Sequence, residues 1–186
     1  DYAHTPDALL KTLKFMQNSF GNNISLVFGC GGDRDQKKRP IMAKISNNIC
    51  KKIYITDDNP RSENPKKIRN ELSKYILKNK LFNIGNRTLA IKKAISNADP
   101  NEAILIAGKG HEDQQIYKNK IFSISDKKII KKINLKARYI TKKKQNYSQN
   151  KFIINKILGK IKSVNFNGLS TDSRTIKKNN LFLAIK

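Results

Sequence analysis

Asp58, Asn59 and Arg61 stand almost side by side, and Glu112 closes a second short cluster, Gly108-Lys109-Gly110-His111-Glu112. Between them these residues offer carboxylates, an amide and a guanidinium. A guanidinium can take a carboxylate through two parallel hydrogen bonds, and acids or an amide can receive an ammonium. A group holding both signs of charge suits a zwitterion better than a phosphate. The plainer alternative for Asp58 and Arg61 is a local turn-capping ion pair, since Asp-Asn-Pro also favours turns.

The elements that must position these residues are readable from the runs before them. Ile53-Tyr54-Ile55-Thr56 precedes the first cluster and Ala103-Ile104-Leu105-Ile106-Ala107 the second. Apolar, β-branched runs of this kind are expected as buried parallel strands, and charges just beyond their C-terminal ends face the crevice where open α/β sheets bind ligands. Strand and helix signals alternate along the rest of the chain. Thr5, Pro6 and Asp7 make a helix start, with an apolar face at Leu9, Leu10, Leu13 and Met16 and a stop at Phe20-Gly21-Asn22-Asn23. Residues 24–28 are expected as a strand. Pro40 is expected to open a helix whose apolar face is Ile41, Ile45 and Ile49, and Pro65 another carrying Ile68, Leu72, Tyr75 and Ile76. Residues 82–84 make a short strand, 88–96 a helix, and 115–117 with 120–122 a hairpin about Lys118-Asn119. Ser125-Asp126 caps a further helix with Ile129, Ile130 and Ile133. The expected fold class is α/β: a Rossmann-like, mainly parallel sheet with helices on both faces, plus a short incomplete C-terminal α/β segment.

Gly29-Cys30-Gly31-Gly32 follows strand 24–28, yet no Gly-x-x-x-x-Gly-Lys-Ser/Thr is present. It reads as a tight strand-to-helix turn that positions Asp33 and Arg34. Lys37-Lys38-Arg39 reads as a solvated lead-in to the next helix. Cys30 and Cys50 are too few and wrongly spaced for a disulfide framework or a zinc site, and only His4 and His111 could join them, so no metal site is expected. A reducing cytoplasm fits. No apolar run approaches the roughly 20 residues of a membrane span, and no signal-peptide pattern opens the chain, so no membrane partner is expected.

The net charge of +25 invites a nucleic-acid reading, because dense cations bind phosphate backbones through counterion release. Composition argues against a selected stripe. Arginine occurs only at 34, 39, 61, 69, 87, 138 and 174, the lysines are spread over nearly every helical segment, and Asn and Ile are abundant too. A basic nucleic-acid-binding module is the alternative function, without a specific nucleic-acid partner expected. A dinucleotide-binding domain finds no strand–Gly-x-Gly-x-x-Gly–helix unit followed by an acid about 20 residues on.

Five motifs occur in order: Asp1-Tyr2-Ala3-His4-Thr5-Pro6, residues 28–35, Lys38-Arg39-Pro40, Asp58-Asn59-Pro60-Arg61 and residues 108–112. Together they resemble the C-terminal domain of the Mur ligases, in particular those adding the third residue of the peptidoglycan stem peptide. The likeness runs from residue 1 to about 138. It implies an ATP- and Mg2+-dependent ligase that joins UDP-MurNAc-L-Ala-D-Glu to a diamino acid through an acyl phosphate. Asp-Asn-Pro-Arg marks the members that add meso-diaminopimelate. The resemblance further implies that Arg34, Asn59 and Arg61 serve the ligand's carboxylates, Asp58 and Glu112 its ammonium, and Gly108 contributes backbone. Asp1 and His4 would lie near ATP, or His4 simply faces solvent in a loop leading to the helix. Lys109 and His111 either touch nucleotide or solvate their loop.

Three segments are expected: a C-terminal, amino-acid-binding Mur domain over 1–141, a polar linker over 142–150, and a truncated unit over 151–186. In the last, residues 152–158 could form a short helix and 181–185 a strand. Ser170-Thr171-Asp172-Ser173-Arg174 followed by Leu181-Phe182-Leu183-Ala184-Ile185 is similar to the start of the UDP-binding domain of a Mur ligase, with Lys178-Asn179 where the family usually has Pro-Gly. An N-terminal motif after a C-terminal domain implies the beginning of a second ligase, of the kind that adds D-Ala-D-Ala. The chain is therefore expected to be a piece of something longer, and inactive alone, because the ATP-binding P-loop and the rest of the central domain are missing from it.

Overall fold

The computed structural model describes residues 3–133 and the backbone of two short strands, 168–170 and 180–184. Asp1 and the expected helix at 152–158 lie outside the described residues. The element order is α1 (Pro6–Phe20), β1 (Ile24–Phe28), α2 (Lys38–Ile49), β2 (Lys52–Ile55), α3 (Pro65–Ser73), β3 (Leu81–Asn83), α4 (Arg87–Ser96), β4 (Ala103–Ile106), β5 (Gln114–Tyr117), β6 (Lys120–Ser123), β7 (Gly168–Ser170) and β8 (Asn180–Ala184). A helical segment over 126–133 follows β6.

The sheet runs β3-β2-β1-β4-β8-β7, and every pairing in it is parallel. β1 is central: Leu26 lies between Ile53 of β2 and Leu105 of β4. All residues of β1 and β4 are buried, which is why these runs show no polar alternation. The strand expected at 181–185 is present as β8, beside β4. Helices cover both faces, as expected. Leu9, Leu13 and Met16 of α1, Met42 and Ala43 of α2, and Ile68 and Leu72 of α3 pack on one side. On the other lie Ala90, Ile91, Ala94 and Ile95 of α4 with Ile130 and Ile133.

Local chemistry accounts for the helix ends. Thr5 Oγ1 accepts from Ala8 N, and Gly21 closes α1 at φ 67°. Asn64 and Asn86 cap α3 and α4 in the same way, through Lys66 N and Leu89 N. One helix departs from its expected register. α2 begins at Lys38; of its expected face Ile45 and Ile49 pack against the core, partly buried, whereas Ile41 is half exposed and the fully buried positions are Arg39, Met42, Ala43 and Ser46. Small residues let α2 approach closely, and the rotation carries Arg39 inward; an apolar count alone favours the isoleucines. Tyr75 is likewise outside, under the ammonium of Lys44 at 5.3 Å.

At the N-terminal ends of the strands, far from the clusters, Lys52 bridges Asp99 at 2.9 Å and buried Glu102 at 2.7 Å, and Lys51 adds a second bond to Asp99. The lysines, Lys52 foremost, hold the Asp99 carboxyl at about 2, below its ordinary 3.8. A lowered folded-state value means stability that is present above pH 4 and is lost as pH falls toward 2. Urea unfolding is therefore expected to show a falling midpoint across that window. Asp99→Asn should remove part of the fall, and an identical acid limb in the variant would exclude this origin.

Candidate functional site

The strand order reverses between β1 and β4, and the turns after β1, β2 and β4 meet there, beyond the carboxyl ends of the strands. The β1 turn is packed against the β2 turn. A Cβ on Gly29 would come 2.2 Å from Thr56 O, and one on Gly32 would come 1.9 Å from Pro60 O, so neither position tolerates a side chain. Gly32 N donates to Asn59 O at 2.9 Å. The turn is no open phosphate cradle: its carbonyls face arginines, with Arg39 Nη2 donating to Gly31 O at 3.2 Å and Arg61 Nη1 to Gly32 O at 2.8 Å.

Arg61 takes the left-handed backbone, φ 51°. The β5–β6 hairpin secures it there, through Arg61 N to Ile116 O at 3.0 Å and Lys118 N to Arg61 O at 2.6 Å. Its guanidinium is anchored along one edge only. Nη1 donates to Gly32 O and, at 3.4 Å, to Asn59 O, and no described residue takes a hydrogen bond from Nε or Nη2. Arg34 borders the same place and is exposed. A Cβ on Gly31 would lie 2.9 Å from Arg61 Nη1 and 3.8 Å from Arg34 Cγ.

Asn59 and Glu112 meet directly, Asn59 Nδ2 donating to Glu112 Oε2 at 3.0 Å. Gly108, at φ 107°, lies against Asp58: a Cβ there would sit 2.9 Å from Asp58 Oδ2. Asp58 and Arg61 do not form the local ion pair that their spacing allows. Asp58 faces Lys109, at 3.6 Å, and Arg61 faces backbone carbonyls. The structure thus brings Asp58, Asn59, Arg61, Gly108 and Glu112 to one crevice with Arg34 at its border. His4 sits apart from them at the approach to α1, exposed, its carbonyl accepting from Lys38 Nζ at 2.9 Å.

Three supports were not foreseen from the chain. Lys109 is fully buried, neither solvating its loop nor open to it. Arg39 is 1% exposed and is no solvated lead-in: it bonds Glu63 at 2.8 Å and Glu71 at 2.7 Å. Burial opposes the charge of Arg39, yet these carboxylates outweigh it and its pKa is raised; Arg39 in turn lowers that of Glu63. Asp57 is paired with Arg69 and accepts from Tyr117 Oη at 2.8 Å, tying the hairpin to the β2 turn. Burial, then Asp57, raises the Tyr117 pKa, so the phenol stays a donor. Burial also pushes the Cys30 thiol up to about 12, which leaves it unreactive beside the site. Arg39, Lys109 and Cys30 were signalled only by their position inside the motifs, and Asp57, Glu63, Arg69, Glu71 and Tyr117 by nothing in them.

A parallel α/β sheet with acids, an amide and arginines gathered at its switch point defines a class: a doubly wound domain with a two-signed binding crevice. The family model described as Mur ligase, glutamate ligase domain, matches residues 1–110. The chain belongs to that family. It is 48% identical over 134 residues to the UDP-N-acetylmuramoyl-L-alanyl-D-glutamate–2,6-diaminopimelate ligase of Buchnera aphidicola subsp. Schizaphis graminum, covering 72% of this chain and 27% of that protein. With the ligase of the same name from Rickettsia typhi it shares 46% identity over 134 residues, 71% of this chain and 27% of the other. A solved structure of a ligase of that name matches with a TM-score of 0.66 and 36% identity, over 71% of this chain and 28% of that one. The chain spans about a quarter of the length of the curated relatives it matches.

Proposed function

We propose that this chain is the amino-acid-recognition part of an ATP-dependent peptidoglycan-precursor ligase, one that adds meso-diaminopimelate to UDP-MurNAc-L-Ala-D-Glu. The observation that carries the reading is the meeting of the Asp58–Arg61 turn with Glu112 across the strand ends, with Arg61 presenting an unspent guanidinium edge. The far end of meso-diaminopimelate bears an ammonium and a carboxylate on one carbon, and lysine lacks that carboxylate. Arg61, bordered by Arg34, suits the carboxylate, and Glu112 suits the ammonium. Losing the carboxylate leaves arginine donors without a partner, which is the stronger form of discrimination.

ATP and Mg2+ would act in the longer ligase. The described residues of this chain hold no group of three or more His, Cys, Asp or Glu placed for a metal ion. The β1 turn also offers no glycine phosphate cradle, so these residues do not by themselves fit Mg-ATP; among the described residues the family likeness puts His4 near the nucleotide, and His111 is a second candidate. Turnover needs the substrate carboxylate, ATP and the amine held together, so the chain alone binds without catalysing. In the same reading, residues 1–141 are the Mur domain, 142–150 a linker, and 151–186 the beginning of a following ligase, although the strand at 180–184 pairs with β4 in the sheet of the first unit. A reducing cytoplasm, where such precursors would be made, is part of the proposal, and no described helix is long and apolar enough to cross a membrane.

The basic-module alternative draws on net charge alone. Two arginines that could serve it, Arg39 and Arg87, are buried in ion pairs. Equilibrium titration of the chain with meso-diaminopimelate, lysine and a short DNA duplex separates the readings. The expected order is meso-diaminopimelate well above lysine, with DNA bound only at low salt. Salt-resistant duplex binding without amino-acid binding would reject the ligase reading.

A further inference from the structure

The run β3-β2-β1-β4 has two unlike edges. β3 is three residues long, Leu81–Asn83, with Leu81 and Phe82 only partly buried, Asn83 exposed and Lys80 just before it. Shortness and flanking charge are what blunt a sheet edge against further pairing. β4 has neither defence. Ala103-Ile104-Leu105-Ile106 carries no charge, proline or glycine, and every one of its residues is buried. An edge of that composition, left open, is a template for another strand.

The hydrogen bonds to β1 fix which groups of β4 point away from it. Ala103 N donates to Asn23 O and Ala107 N to Val27 O, both at 2.9 Å, so positions 103, 105 and 107 serve β1. Successive residues of a strand turn to opposite neighbours, so Ile104 and Ile106 present their N–H groups on the outer side. A buried backbone group without a partner costs about as much as a lost hydrogen bond. Among the described residues, what lies on that side is β8, in parallel register, with Ile104 opposite Leu183 and Leu105 opposite Ala184. In that register Ile104 N faces Phe182 O, Ala184 N faces Ile104 O, and Ile106 N faces Ala184 O. β7 takes the other edge of β8, Leu169 opposite Leu181 and Ser170 opposite Phe182. The β5–β6 hairpin forms a separate sheet.

We infer that the outer edge of β4 is a strand-docking site and that its occupant is this chain's own segment 180–184, added by main-chain pairing. A connection between parallel strands needs about a dozen residues or more, and residues 107–179 exceed that, so the strand is supplied in cis. Both edges of β8 are occupied, by β4 and β7. Residues 180–184 therefore complete the sheet of the first unit and are not at the same time the opening strand of a separate one. Which ligand the crevice takes has no bearing on this pairing.

Amide hydrogen exchange in the 15N-labelled 186-residue chain tests the docking position by position. Ile104 and Ile106 should exchange as slowly as Leu105, whose N–H faces β1. Ala184→Pro removes the N–H that faces Ile104 O and bars the strand from the edge. In that variant Ile104 and Ile106 should exchange about tenfold faster or more, with Leu26 and Leu105 unchanged. Fast exchange at Ile104 and Ile106 in the wild type, or no change in the variant, would overturn the assignment. The wild type alone gives a second readout, which serves even if the variant does not fold. Nuclear Overhauser contacts are expected between backbone protons of Ile104–Leu105 and Leu183–Ala184, and their absence would reject the pairing. The same contacts found between differently labelled copies in a mixture would put a second copy's strand on the edge and reject the cis assignment.

Discussion

Arg61→Ala, placed in a full-length ligase carrying this domain, is expected to raise the KM for meso-diaminopimelate about 100-fold while kcat changes far less. The guanidinium is held by Gly32 O and Asn59 O through Nη1 alone, and its other edge is free of described partners. An arginine that served only to close the turn would have no reason to leave two donors unspent. One charge-assisted hydrogen bond to a carboxylate is worth about 1.5–3 kcal/mol, and the upper end of that converts to about 100-fold. Backbone strain does not explain the expected effect, because alanine meets the same left-handed penalty at φ 51° as arginine does. Preference over lysine should fall together with affinity, since lysine never used that edge. Kinetics and selectivity equal to the wild type would mean that the crevice is architectural.

The largest stability effect is expected at Arg87, which the proposed chemistry does not use. Arg87 is 1% exposed at the first turn of α4 and grips Asp126 through Nε at 2.8 Å and Nη2 at 2.6 Å, with a further bond to Ala107 O at 3.0 Å. The pair fastens α4 and the 126–133 helix to the end of β4, one residue before Gly108. Arg87→Met strands a buried carboxylate, which costs about 3–5 kcal/mol. For a chain of this size that is a fall in Tm of about 10 °C. The double variant Arg87→Met with Asp126→Leu should regain much of the loss, because no unpaired charge is left inside. Thermal unfolding of the three variants checks this; additive losses in the double variant would show that the pair is not coupled.

Much of the architecture follows from short-range signals. The strands at 24–28, 53–56 and 103–107, the capped start at Thr5 and the hairpin about Lys118-Asn119 all lie within a residue or so of the observed elements. Each depends on a local rule: continuous burial of a parallel strand, a side-chain oxygen at a helix start, or a turn dipeptide. Where the cause was not local, the pattern misled. The α2 face was expected at Ile41, Ile45 and Ile49; Ile45 and Ile49 do pack against the core, but Ile41 is outside, and Arg39 is inside, paired with Glu63 and Glu71 far along the chain. A buried cation has no periodicity to betray it.

The crevice divides along the same line. Residue types and motif order were enough to indicate which side chains could face a zwitterion, because strands in a parallel sheet deliver their following turns to one edge. Chain order could not distinguish Asp58 from Glu112, nor show Lys109 standing between them, since that depends on which of several like charges becomes buried when turns 50 residues apart close on each other. Local chemistry chooses the components; only packing decides which of them face each other and which are left for a ligand.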